Sequence, residues 1–474
     1  MHSATILQAE RADIAVPSSQ QPARKLYGAL LDQPGPGVLA DAAAYLARQL
    51  SVAAALPCDL PADPADLAAW AAPRHAAVAS QYRHYLAGRK AGEARRYFGS
   101  KAHALHFLRC VGPTKLADGA WLFGTLAHWE DNAFRPLIKT YLEELGEGLP
   151  AKNHVTLYQR LIDNHACAGW DDLSDAHFTQ GAIQLSLGHA GARFLPEMVG
   201  YNLGYEQLPL HLLITAYELN ELGIDPYYFT LHVTVDNADT GHAHDAIDAL
   251  QRLMACSPNP AEFYRRAREG YKLNELGEST GSVIASFDLE SELVRIMAQK
   301  ARTGKDMHGD YCRVAGKTIN AWLADPGQIP ALLRAFEDSG WIQRGAPTAE
   351  SRFWRLIQSE RAEMFGVFSS YEQQVLADWI YEAPRAVSFR ARQRADSTAC
   401  DVPERSSPLR ALIRNAHDDS ASAAGNTLRQ IEQAVAQAPT RAAAMRLLTE
   451  RMSPALHHTA AGLMATRMFA RMLP

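Results

Sequence analysis

"YYFTLHVTVDNADTGHAHDA", residues Tyr227 to Ala246, is the stretch on which the reading of the chain turns. Its "TLHVTVD" is β-branched and would suit a strand, while its polar spacing also suits a helix. It gathers His232, Asp236, Asp239, His242, His244 and Asp245. His232 and Asp236 stand four apart, so they share a face on a helix, one turn apart, and share a face on a strand as well. Asp239 keeps the helical face. His242 leaves it unless the helix ends at Gly241. Histidines and carboxylates without cysteine suit iron, manganese or zinc, and a mixed nitrogen and oxygen set with open positions suits non-heme iron. A solvated polar face is the competing reading.

The surroundings favour helix. No region shows strand-like alternation, and apolar residues recur at three and four among alanine, leucine, glutamate, glutamine and arginine. "LADAAAYLARQLSVAAAL" (39–56) and "NTLRQIEQAVAQAPTRAAAMRLLTERM" (426–452) read as amphipathic helices. "LPLHLLITAYELNEL" (208–222) is apolar almost all round, which predicts a buried helix, with Gly223 placed to end it. The expected class is all-α. Three parts are expected: a helical lead-in over 1–95, a core over 96–280 that carries the polar clusters, and a helical C-terminal accessory region over 281–474. Residues 390–410, polar with proline and serine, read as a linker or long loop.

The chain of 474 residues has 47% hydrophobic residues and a net charge of −5, with 47 basic and 52 acidic residues intermingled. That mixture offers no basic footprint for nucleic acid or an anionic membrane. No apolar run approaches the roughly 20 residues that span a bilayer, and "MHSATILQAERAD" lacks the apolar core of a secretory leader. Six cysteines, Cys58, Cys110, Cys167, Cys256, Cys312 and Cys400, are scattered without a CxxC, which predicts reduced thiols in a cytoplasmic protein.

Further candidates lie upstream. Glu144 closes one apolar-periodic stretch and His154 opens the next, with Gly146, Gly148 and Pro150 between them. The two side chains therefore converge only if that break bends the chain back. Glu206 precedes the buried 208–222 stretch, where a carboxylate is costly unless paired with a cation. Glu197 and Glu218 compete with it on the same grounds, and a helix-start carboxylate at "EQLP" is the plainer reading.

Taken together, "ELGEG…NH", the Glu before a buried helix and "FTLHVTVD…GHA" resemble the heme-oxygenase-like diiron oxidases. That family has the helical fold of heme oxygenase and holds non-heme iron in place of heme. Its pattern is a Glu and a following His, a distant Glu, then His-x3-Asp-x2-His. The resemblance spans roughly 100–250 and implies Glu144, His154, Glu206, His232 and Asp236 as iron ligands. The last position departs from the pattern: Asp239 stands where the family has His, and the "HA" follows as His242-Ala243. Resemblance implies His242; helical phase implies Asp239. Some N-oxygenases of the family add an earlier carboxylate, which here is Asp118, an optional ligand or a neighbour of the ligands.

The resemblance implies one or two Fe(II) ions, O2 as oxidant, and a small amino-acid-derived acid as substrate, in the manner of enzymes of natural-product biosynthesis. It implies no flavin, heme or nicotinamide. Arg109 and Arg193 are candidates to grip a substrate carboxylate, and Tyr201, Tyr205, Tyr227 and Tyr228 are expected to pack. A homodimer is allowed. Four alternatives stay open. They are an N-oxygenase of an amino-acid amine, a metal-free thiaminase-like enzyme with Cys110 or Cys167 as nucleophile, a hydrolytic zinc or manganese site, and a helical binding protein without catalysis. In the C-terminal part, adjacent His457 and His458 face different ways on a helix.

Overall fold

The structure, a computed structural model, describes residues 23–32, 34–235, 241–358, 363–382 and 428–474. Asp236, Asp239, Cys400 and the expected 390–410 linker lie outside the described residues. The rest is helical apart from one two-stranded hairpin, Arg313–Val314 paired with Lys317–Thr318, and the fold is all-α and heme-oxygenase-like.

The contested stretch folds as helix. Tyr227–Val235 (α10) ends just before the undescribed residues, and His242–Ala255 (α11) begins after Gly241. Helix formation wins over β propensity because Tyr228 and Phe229 are buried and the nearest sequence neighbour, Leu210–Glu221 (α9), packs alongside α10. The helix α9 is buried along most of its length, and Gly223, with φ +67°, follows its end as expected. The 39–56 stretch lies within Pro36–Ala53 (α2) and the residues beyond it. The 426–452 stretch is two helices, 428–436 and Arg441–Arg451, parted at "APT" with Thr440 capping the second.

The chain forms two compact units. The first comprises residues 1–287 and 431–474; the second comprises 288–430. Residues 23–95 and 431–474 group in the first unit with the helices that carry the candidate site. In the first unit the site-bearing helices are Lys101–Lys115 (α3), Arg135–Glu144 (α4), His154–Asn164 (α5), Leu195–Tyr205 (α8), α10 and α11. Pro260–Lys272 (α12) packs closely along α8. The final helices, Arg441–Arg451 and Ala460–Arg471, return to the α4–α5 turn: the Tyr141 hydroxyl donates to the Met452 carbonyl at 2.6 Å.

The second unit is built on Leu289–Gly304, with Ile329–Asp338 and Ser370–Tyr381 against it. Within it Glu292 receives Tyr371 Oη at 2.6 Å and Arg295 in a bidentate pair. Among the described residues no helix is long and apolar enough to cross a membrane.

Candidate metal centre

Glu144 is the last residue of α4, and His154 is the first of α5. The chain reverses between them through Gly146, Glu147 and Gly148, with φ of 62°, 53° and 79°. Glycine is required at 146 because a Cβ there would lie 2.3 Å from the Asn153 nitrogen. Asn153 then caps α5 by accepting from Thr156 N at 2.9 Å, while its amide nitrogen reaches Leu145 O and His457 Nδ1, each at 3.1 Å. The bend that the sequence left conditional therefore exists. It brings Glu144 Oε2 to 2.5 Å from His154 Nδ1.

Asp118 follows α3 in an Asp-Gly turn. Gly119 has φ +76°, and a Cβ on it would meet Glu144 Cβ at 2.8 Å. Asp118 Oδ2 lies 3.7 Å from His154 Nδ1 and 3.0 Å from His232 Nε2. Asp118, Glu144, His154 and His232 thus converge as one buried group that could hold a metal ion. A second group shares Glu144: His242 Nδ1 lies 3.5 Å from Glu144 Oε1 and 3.1 Å from Glu206 Oε2. Every one of these side chains is buried.

Helix polarity makes the cost of this arrangement specific. Glu144 ends α4 and Glu206 caps the C-terminus of α8, so both carboxylates face the negative pole of a helix. The helix-start reading of Glu206 is corrected here, because α9 begins only at Leu210. His154 and His242 open α5 and α11, where the positive pole disfavours an imidazolium. Buried carboxylates at C-termini ask for a cation, and imidazoles at N-termini are favoured as neutral ligands.

The rival glutamates are satisfied by the protein itself. Glu197 forms a bidentate pair with Arg266. Glu218 accepts from the backbone nitrogens of Arg96, Tyr97 and Phe98 and from Tyr85 Oη.

The fit to a metal can be tested on these atoms. Glu144 Oε2 and His154 Nδ1 approach closely, yet neither has a partner with hydrogen-bond geometry. His232 Nδ1 donates to the Tyr228 carbonyl at 2.8 Å, so in the neutral ring Nε2 directs a lone pair at Asp118. Two ligands at right angles, each roughly 2.1 Å from a first-row metal, stand about 3 Å apart. The separations of 3.0 and 3.1 Å around Asp118 and Glu206 are close to that spacing, while the others in the two groups range from 2.5 to 3.7 Å. The donor set of carboxylates and imidazoles without thiolate fits iron.

Without an ion, the charges compensate one another. Burial alone would raise Asp118, but Lys115 and the His154 and His232 contacts hold it well below the usual carboxylate range. Glu144 is likewise held down against burial by His154. Burial lowers His154, but Glu144 and Asp118 outweigh it and push the imidazole up to about 10.

Three features escaped the sequence reading. Tyr205 and Tyr228, expected to pack, donate their hydroxyls to Asp118 Oδ1 and Oδ2 at 2.9 and 2.6 Å, and Lys115 Nζ donates to Tyr205 Oη at 3.2 Å. Glu143 Oε2 lies 2.9 Å from His242 Nε2. Arg109 is engaged by Asp172 and the Gly169 carbonyl, which removes it as a substrate clamp. Arg193 is exposed, its guanidinium over the Phe194 ring. The Cys167 thiol is pushed up to about 12 by burial, the opposite of a nucleophile's setting. Cys110 is buried with Sγ 3.4 Å from His106 Nε2.

An all-α, heme-oxygenase-like fold enclosing histidines and carboxylates defines the class to which the site points. Residues 105–275 match the family model described as iron-containing redox enzyme, and this segment includes every described residue of the two groups. Neither a curated protein nor a solved structure matches the chain. The family match and the donor set support an iron-dependent oxidoreductase.

Proposed function

We propose that the chain is a non-heme iron, O2-dependent oxidase acting on a small amino-acid-derived carboxylic acid, by oxidative C–C or C–N cleavage with loss of one carbon. The observation that supports the reading is that Glu144 belongs to two buried groups, each of which could hold a metal ion. Asp118, Glu144, His154 and His232 would hold one iron. Glu144, Glu206 and His242, together with Asp236 on the family pattern, would hold the other. Bound iron supplies the reductive activation of O2, which no side chain can perform alone.

The chain's own residues do the rest. The Tyr205 and Tyr228 hydroxyls fix both oxygens of Asp118, and the Tyr228 carbonyl fixes the His232 ring. Trp121 and Tyr201, fully buried, exclude water on the Tyr205 side, with Trp121 Nε1 held by Asn202 at 2.8 Å. The length of the chain, "DGAWL", and "NLGYEQLPLHLL" resemble the carbon-excising oxidase of fluopsin C biosynthesis. This supports a cysteine-derived, N-oxygenated acid related to a thiohydroxamate as substrate.

The test is anaerobic Fe(II) titration of the metal-free protein, followed by rapid mixing with O2, with and without thiohydroxamate or oxime acids. Uptake near two irons per chain and a transient visible chromophore are expected, and substitution of His232 or Glu206 is expected to remove one iron and the chromophore. Absence of iron uptake together with absence of O2 consumption overturns the reading.

A further inference from the structure

His232 and His242 offer opposite ring nitrogens to the shared centre, and they are backed differently. His232 presents Nε2 and donates Nδ1–H to a neutral backbone carbonyl. His242 presents Nδ1 to Glu206 and Glu144, and its Nε2 faces the Glu143 carboxylate. An ionised carboxylate only accepts, so that Nε2 carries the hydrogen and Nδ1 keeps its lone pair turned inward.

We propose that Glu143 is the positioning residue for the metal position at Glu144, Glu206 and His242: it fixes the tautomer and the direction of His242 and strengthens that imidazole as a donor. The inference rests on the metal reading above. Glu143 and Glu144 are consecutive at the end of α4, so their side chains diverge. One enters the buried centre. The other, with its side chain 31% exposed, reaches the far nitrogen of a ring that is 1% exposed. Lys139, at 4.0 Å, is a distant i,i+4 partner for Glu143 and is held more closely by Asp245 at 2.7 Å. The nearer and more buried partner of Glu143 is thus the histidine, not the surface lysine. A carboxylate behind a metal-bound imidazole raises ligand basicity, and removing such a group costs about 10–100-fold in metal affinity.

The test is anaerobic Co(II) titration of the metal-free full chain, followed by visible ligand-field absorption and by competition with a chelator. Wild type is expected to bind two equivalents. Glu143→Ala is expected to weaken one of them by about 10–100-fold, shift its absorption bands and leave the other unchanged. Glu143→Gln, which keeps an acceptor without charge, is expected to fall between and serves as the readout if the alanine variant does not fold. Two equivalents in wild type with unchanged affinities and bands in both variants overturns this inference alone, as does an equal loss of both equivalents. A single equivalent in wild type also overturns it. No Co(II) uptake by wild type overturns the metal reading with it.

Discussion

Gly119 leaves open the space beside Glu144 that a side chain would fill: a Cβ on Gly119 would stand 2.8 Å from Glu144 Cβ. The turn also needs φ +76°, a left-handed conformation that glycine adopts without strain. Gly119→Ala is therefore expected to destabilise the protein by about 1–3 kcal/mol and to displace Glu144 from both metal groups. A lower unfolding midpoint together with loss of most bound iron, read by metal analysis, is the expected result. Retention of full iron content would show that Glu144 tolerates the shift.

Sharing of Glu144 sets a stoichiometric pattern. Glu144→Ala should abolish both binding events, whereas Glu206→Ala and His232→Ala should each abolish one. Isothermal calorimetry with Fe(II) or Mn(II) under argon distinguishes these outcomes. A Glu144→Ala protein that still takes up one equivalent would mean that the groups are independent.

The tyrosines on Asp118 should matter to the metal and little to the fold. Tyr228→Phe and Tyr205→Phe each delete one hydroxyl from a carboxylate that has no other tyrosine on that oxygen. Each is expected to weaken metal binding by about 10-fold or more, measured by chelator competition, with the helical circular dichroism unchanged.

Acid should unfold the metal-free protein early. Burial pushes His189 down to about 4, burial and Lys115 take His211 to about 4, and burial with the neighbouring His458 and His154 takes His457 to about 3. An unfolded histidine titrates near 6.5, so the unfolded state binds more protons below that pH. The contribution of these groups to stability is full above about pH 6.5 and falls as pH drops from there toward about 4. Thermal midpoints between pH 7.5 and 4.5 test the sign. His189→Gln should flatten the acid side of the profile.

Much of this was legible before any coordinates. Helix α9 and the Gly223 stop follow from apolar pattern and turn chemistry. The expected pairing of His232 with Asp236 falls outside the described residues, and the carboxylate found beside His232 is Asp118, 114 residues away in sequence. The convergence of Glu144 on His154 was not legible, since it depends on three consecutive positive-φ residues and on Asn153 capping the next helix. Asp118 could be noted only as optional, because its place is set by contacts from Tyr205 and Tyr228, about ninety and more residues away in sequence. Glu143 was hidden by its neighbour, since a half-exposed glutamate beside a candidate ligand has no pattern of its own.

The return of the final helices to the α4–α5 turn has a consequence for biogenesis. His457 supplies the partner of Asn153, the residue that caps the helix beginning at His154. A nascent chain that has already translated all of the candidate ligands still lacks this support until residues 431–474 leave the ribosome. Formation of this contact therefore waits on residues 431–474, and a product cut short after residue 430 carries the candidate ligands without it.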